Sequence, residues 1–189
     1  MSERNTVLRS MHDAGLATWF GGSLMGAVGL NGAAAKVHDP RERMKVASVG
    51  WSRWRPVNAA AIGSHLAGAA GLLATNADRV TNERGVAVMS AAKTGLTIAA
   101  LGATAYSRVL GRRIERAGEV SVAGVTEPDQ STPPDISDAQ RKLRVAQWSI
   151  PVFTGALLAV SALAGEQQKS RPSTRGVRAA ARRAWRRYA

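Results

Sequence analysis

Residues 14–35, 56–77, 85–107 and 145–165 hold a single charged side chain among them, Lys93, in a chain that is 21% charged as a whole. Each stretch runs for 21 to 23 residues. As a helix rising 1.5 Å per residue, a segment of that length covers the ~30 Å hydrocarbon core of a bilayer. In oil the backbone must satisfy its own hydrogen bonds, and for separate segments of this length the helix is the solution. The pattern predicts an all-α integral membrane four-helix bundle: one membrane domain over residues 1–168, then a basic amphipathic helix over residues 169–189.

Composition fits once its segregation is seen. The mean hydropathy of −0.13 is low for a membrane protein, because the apolar stretches are built from Ala and Gly while 26 Lys and Arg crowd into the connections. A net charge of +13 would suggest nucleic acid in a soluble chain. Here the bases flank apolar segments, so anionic lipid headgroups are the nearer counter-charge and nucleic acid is disfavoured. The absence of cysteine excludes disulfides, thiol chemistry and thiolate metal sites. Arg4 and Arg9 ahead of an apolar run ending in Ala33, Ala34 and Ala35 also resemble a secretory signal. The length and Gly content of the run favour a retained first span.

The connections differ in character. Residues 36–55 read as a basic loop in which Trp51 and Trp54 alternate with Arg53 and Arg55 just before Pro56, an arrangement suited to a headgroup layer. The short polar link 78–84 predicts an antiparallel hairpin. Residues 117–140 contain five acids, three prolines and no base, and are expected to form a disordered acidic loop. Arg141, Lys142, Arg144 and Trp148 then mark the entry of the fourth span, with Pro151 in its first turn. In the tail, Arg175, Arg178, Arg182, Arg183, Arg186 and Arg187 oppose a stripe containing Val177, Ala181, Ala184, Trp185 and Tyr188, which reads as a helix lying on anionic lipid. Four spans put 12 Lys and Arg on one side and 13 on the other, so the positive-inside rule does not choose an orientation. The eight bases of the tail favour a cytoplasmic C-terminus in a cell or cytoplasmic membrane.

Small residues recur every four positions, at Ala14, Thr18, Gly22 and Gly26, at Gly63, Ala67, Gly71 and Thr75, at Ala91, Gly95, Ala99 and Ala103, and at Gly155 and Ala159. Such lines let helix backbones approach closely where lipid supplies no hydrophobic drive. They suit a compact bundle, a homo-oligomer or a partner helix.

Polar groups inside a span are candidates for function. Counting 1.5 Å per residue from the 78–84 link brings Asn31 and His65 to a similar mid-membrane depth, with Lys93 near enough to reach them or to snorkel to the headgroups. No carboxylate lies in the four stretches, so acid–base catalysis of the usual kind is not expected, and His65 shows no second histidine at its depth to complete a haem or metal site. No cofactor, metal or enzymatic activity is expected.

His12, Trp19, Gly21 and Gly22 form H-x6-W-x-G-G at the start of the first span, which resembles the opening of the copper-resistance-D-like membrane domains and of small four-span families of unknown function. The resemblance implies a four-span architecture and copper transport, with His12 as ligand. Only Met25 and Met89 lie in spans, which departs from a soft-ion site. The preferred reading is a structural, accessory or assembly component that binds anionic lipid and other membrane subunits or its own copies. The alternatives are a small transporter or channel using Asn31, His65 and Lys93, and a membrane redox or metal protein with His12 and His65 as ligands.

Overall fold

The computed structural model describes residues 5–169, and every regular element among them is helical. Helix α1 covers Thr6–Met25, passes through a π-helical turn at Gly26–Leu30 and continues as α2, Asn31–Ala34. After a short turn come α3 (Arg43–Thr75), the brief α4 (Ala77–Asn82), α5 (Arg84–Glu115) and α6 (Pro134–Lys169). Three of these are long and apolar enough to cross a membrane: α3, α5 and α6 up to Gly165. At most 22% of each apolar window is buried inside the protein. Val88, Ile98, Val109, Val145, Val152 and Leu163 all face outward, as expected of helices solvated by lipid in a multi-pass membrane protein.

The rods pack antiparallel, chiefly as the pairs α1–α3 and α5–α6, which are joined through α1 and α6. Along the α1–α3 seam, Gly15 meets the backbone of Ala61 and His65, Gly22 meets the Trp54 ring, Gly26 the Trp51 ring, and Gly68 the backbone of Leu8 and His12. The small-residue lines read from sequence are thus half right. Gly22, Gly26 and Gly71 lie in the seam, whereas Gly63 and Gly95 meet nothing and Ala14 and Thr18 are exposed. Helix α6 packs extensively on α5 and less so on α1, while α3 and α5 touch at few points and leave a cleft.

Helices α3 and α6 both begin well before their charge-free stretches, which corrects two expectations. The segment 36–55 is mostly helix, so Trp51, Arg53, Trp54, Arg55 and Pro56 lie within α3, and Pro151 lies inside α6 rather than in its first turn. Extra helix is stabilised by an apolar cap: Met44 packs against Leu110, Ile114, Ile136, Ala139 and Leu143, and Ala47 joins Ala34 and Val125.

The acidic segment is also a correction, because residues 117–133 are folded onto this cap and 134–140 are helical. Val122 and Val125 are buried. Arg43 Nε donates to the Val37 carbonyl (2.9 Å), and its Nη1 donates to the carbonyls of Val122 and Ala123 (3.0 Å each). The buried Gln140 amide donates to the Gly124 and Val125 carbonyls, at 2.9 and 3.1 Å. Asp129 accepts from Ser121, Ser131 and Thr132, and these hydrogen bonds hold its carboxyl down at about 2. The loop compensates for its small apolar content by hydrogen bonding its own backbone to remote side chains.

Candidate functional site

Polar side chains converge at two levels of the bundle. The first is formed by α1, α3 and α5. The His12 and His65 rings lie with centroids 4.5 Å apart and planes inclined by 46°, both nearly sealed from solvent. His12 Nδ1 bonds the Asp13 carboxylate at 2.7 Å. His65 Nδ1 lies 3.3 Å from the His12 carbonyl oxygen. A carbonyl only accepts, so Nδ1 carries the hydrogen and Nε2 is left to accept from the Thr97 hydroxyl, also at 3.3 Å. Lys93 has Arg9 and Asp13 as its charged neighbours. Gly15 and Gly68 allow this centre, because any side chain there would hold α1 and α3 apart.

The second level lies toward the capped end. Asn31 Nδ2 donates to Gln147 Oε1 (2.8 Å), and Trp51 Nε1 donates to Asn31 Oδ1 (3.0 Å). Three rods are tied by one buried amide pair. Between the levels, Leu16, Trp19 and Leu157 are fully buried.

Of the expected Asn31, His65 and Lys93 cluster, His65 and Lys93 lie at the first level and Asn31 at the second. Asn31 packs beside Trp51 and His65 beside His12 on the same α1–α3 seam, and the 14 positions from residue 51 to residue 65 correspond to about 21 Å of helix. The depth estimate failed because it set all four charge-free stretches side by side. In fact α1 is slid along α3, so that Arg9, His12 and Asp13 stand beside the middle of α3's apolar stretch. His65 consequently has the second imidazole that sequence reasoning denied it. The available signal was the stripe His12, Gly15, Leu16 and Trp19, which follows i, i+3, i+4, i+7 and is buried throughout. With the rings in contact, no macrocycle fits between them, and no group of three metal-ligating His, Cys, Asp or Glu side chains occurs among the described residues.

Of the residues expected at lipid, Arg53 and Arg55 are exposed. Trp51 and Trp54 instead fill the seam against Gly26 and Gly22, a correction that follows from the helix continuing past them. Arg175, Arg178, Arg182, Arg183, Trp185, Arg186 and Arg187 lie outside the described residues, as does the tail helix proposed for them.

No known family model, curated protein or solved structure matches the chain.

Proposed function

We propose that this protein is a non-enzymatic structural or assembly component of a membrane complex, seated in anionic lipid and packed through α1 against another membrane subunit or a second copy. One observation carries the reading. Arg9 and Asp13 are both exposed on α1, the Asp13 side chain to 58%, yet they flank His12, whose partner His65 lies ten positions from Arg55 and thirteen from Asp78. Those distances are about 15 and 20 Å along α3, deep inside the slab that the apolar stretch defines. A charge at that depth costs about 2.5–3.5 kcal/mol on insertion scales, which is avoided when a protein surface covers it. In this reading the α1 rod is the fourth span, the membrane is the cell membrane, and the basic tail is cytoplasmic.

Solubilisation of native membranes in mild detergent, followed by affinity capture of the chain, is expected to yield a defined larger assembly. Recovery of a lone monodisperse monomer overturns the proposal. The second reading, a small transporter, is favoured by the buried imidazole pair and opposed by the apolar plug of Leu16, Trp19 and Leu157. It requires flux in proteoliposomes that His65→Leu abolishes in a folded protein.

A further inference from the structure

The cleft left between α3 and α5 has a volume of about 220 Å³. Its vertical position follows from two hydrogen bonds that fix the α3–α5 register, Ser48 to Glu115 and His65 to Thr97. Seven residues on from Ser48 is Arg55, and seven back from Glu115 is Arg108, so these two arginines face one another across the opening. Both line the cleft, and Arg112 lines it one turn further out. On α6, Ile150 shares a core cluster with Ala100, which brings Arg108 near the level of residue 142, within about a turn of Arg144. The charge-free stretches of α3, α5 and α6 therefore all end at one plane, and the cleft opens across it.

Chemistry changes with depth along the walls. Arg55, Arg108 and Arg112 have no carboxylate partner among the described residues, and the one acid in the lining, Glu115, accepts from Ser48. One turn inward from Arg55 sits Asn58, and Ser107 adjoins Arg108. Both residues contribute to the lining, with Asn58 Oδ1 and Ser107 Oγ themselves buried and without a hydrogen-bond partner among the described residues. Further inward Ala59, Ile62 and Ile150 form the walls together with Thr104 and Gln147, while Met44, Ala47, Trp51 and Val125 line the cleft on the capped side of Arg55.

We propose that this cleft is a binding site for one anionic phospholipid. Its phosphate diester sits between Arg55, Arg108 and Arg112, where guanidinium forks match phosphate oxygens. Its glycerol ester groups sit at the level of Asn58 and Ser107, which contribute to the lining just inside the arginines. One acyl chain runs inward between α3 and α5 toward Ile62. This order of phosphate, ester and chain is the order in which a bilayer presents those groups at the plane where the three apolar stretches end. The inference rests on the membrane reading above and specifies one component of it.

Native mass spectrometry of the full chain, exchanged in micelles containing equimolar phosphatidylglycerol and phosphatidylcholine, tests the site. The parent protein is expected to retain one phosphatidylglycerol with a preference of about tenfold. Arg55→Gln combined with Arg108→Gln brings the retained ratio to about one. Arg41→Gln combined with Arg116→Gln removes the same charge from exposed positions outside the cleft and leaves the preference intact. Ile62→Trp fills the cleft and abolishes retention of either lipid. Equal retention by the parent, or loss of preference in the Arg41/Arg116 pair to the same degree as in the Arg55/Arg108 pair, overturns the site. Flotation with vesicles separates the two levels of the claim: a chain that floats but shows no preference sinks the site alone, whereas a chain that does not float sinks the membrane reading itself.

Discussion

Gly68→Ala probes a place where two helix backbones meet directly. A Cβ on Gly68 would sit 2.5 Å from the His12 nitrogen and 2.6 Å from the Leu8 carbonyl oxygen, where ordinary contact begins at 3.4 Å. Both neighbours are backbone atoms, so no side chain can swing aside, and α1 and α3 must part by about 1 Å in a densely packed seam. Overpacking of this kind costs about 1–3 kcal/mol. Gly63, on the same helix, meets nothing within 4 Å, so Gly63→Ala carries the helix-propensity gain of about 1 kcal/mol without the clash. The difference between the two variants isolates the seam, and about 1–3 kcal/mol is expected between them in a reversible detergent unfolding titration followed by tryptophan near-ultraviolet circular dichroism. Gly15→Ala presses on the same seam from the other side, 2.5 Å from the Ala61 carbonyl oxygen. One separation relieves both clashes, so the double variant loses less than the sum of the singles. Equal midpoints for Gly68→Ala and Gly63→Ala would refute the close approach on which the register rests.

Three further outcomes follow from the polar ties. Asn31→Leu strands the buried Gln147 amide and the Trp51 indole N–H, with an expected loss of about 1–3 kcal/mol; a double-mutant cycle with Gln147→Leu should show coupling, and strict additivity would remove the pair from the account. Arg43→Met frees three carbonyls across Val37, Val122 and Ala123, so limited proteolysis is expected to cut the 117–133 loop first, and an unchanged digest would show that the loop is held by other means. Asp129 has a folded-state pKa depressed to about 2 from 3.8, so its contribution to loop stability is fully present above pH ~4 and is lost as pH falls through about 2. Amide exchange at Ser131, whose N–H donates to Asp129, should lose protection across that window in the parent and not in Asp129→Asn, and a pH-independent parent would contradict the assignment.

The helical order of the chain was legible because charge-free windows of this length have few other solutions. The reversal at the 78–84 link was legible, but the link holds the short helix α4 and the helices it joins touch at few points. The helix starts were not, since windows defined by missing charge are blind to helix that continues into water. Periodicity carried that information: Met44, Ala47 and Trp51 repeat at i, i+3, i+7, and so do Ile136, Ala139 and Leu143 before the chain reaches Ile150. Order in the acidic segment could not be read locally, because its carbonyls are satisfied by Arg43 from α3 and by Gln140 at the segment's own far end. The polar centre was mispaired for a geometric reason. Sequence separation gives depth only when the sliding of one rod past another is known, and that sliding is set by Gly15, Gly22, Gly26 and Gly68 fitting their particular neighbours.

The π turn at Gly26–Leu30 explains how Asn31 reaches its partners. Buried positions on the first rod proceed from Gly26 to Asn31 and then Ala34, a step of five followed by a step of three, where an α-helix would step by three or four. The rod thus contains one surplus residue, absorbed as a widened turn. Losing a residue there, such as the outward-facing Val28, would relax the turn to ordinary pitch and leave the carboxamide of Asn31 aimed at Gln147. The same loss anywhere between Thr6 and Met25 would rotate everything downstream by about 100°. Tolerance to shortening is confined to one place in this rod, and it is the place where the surplus is already stored.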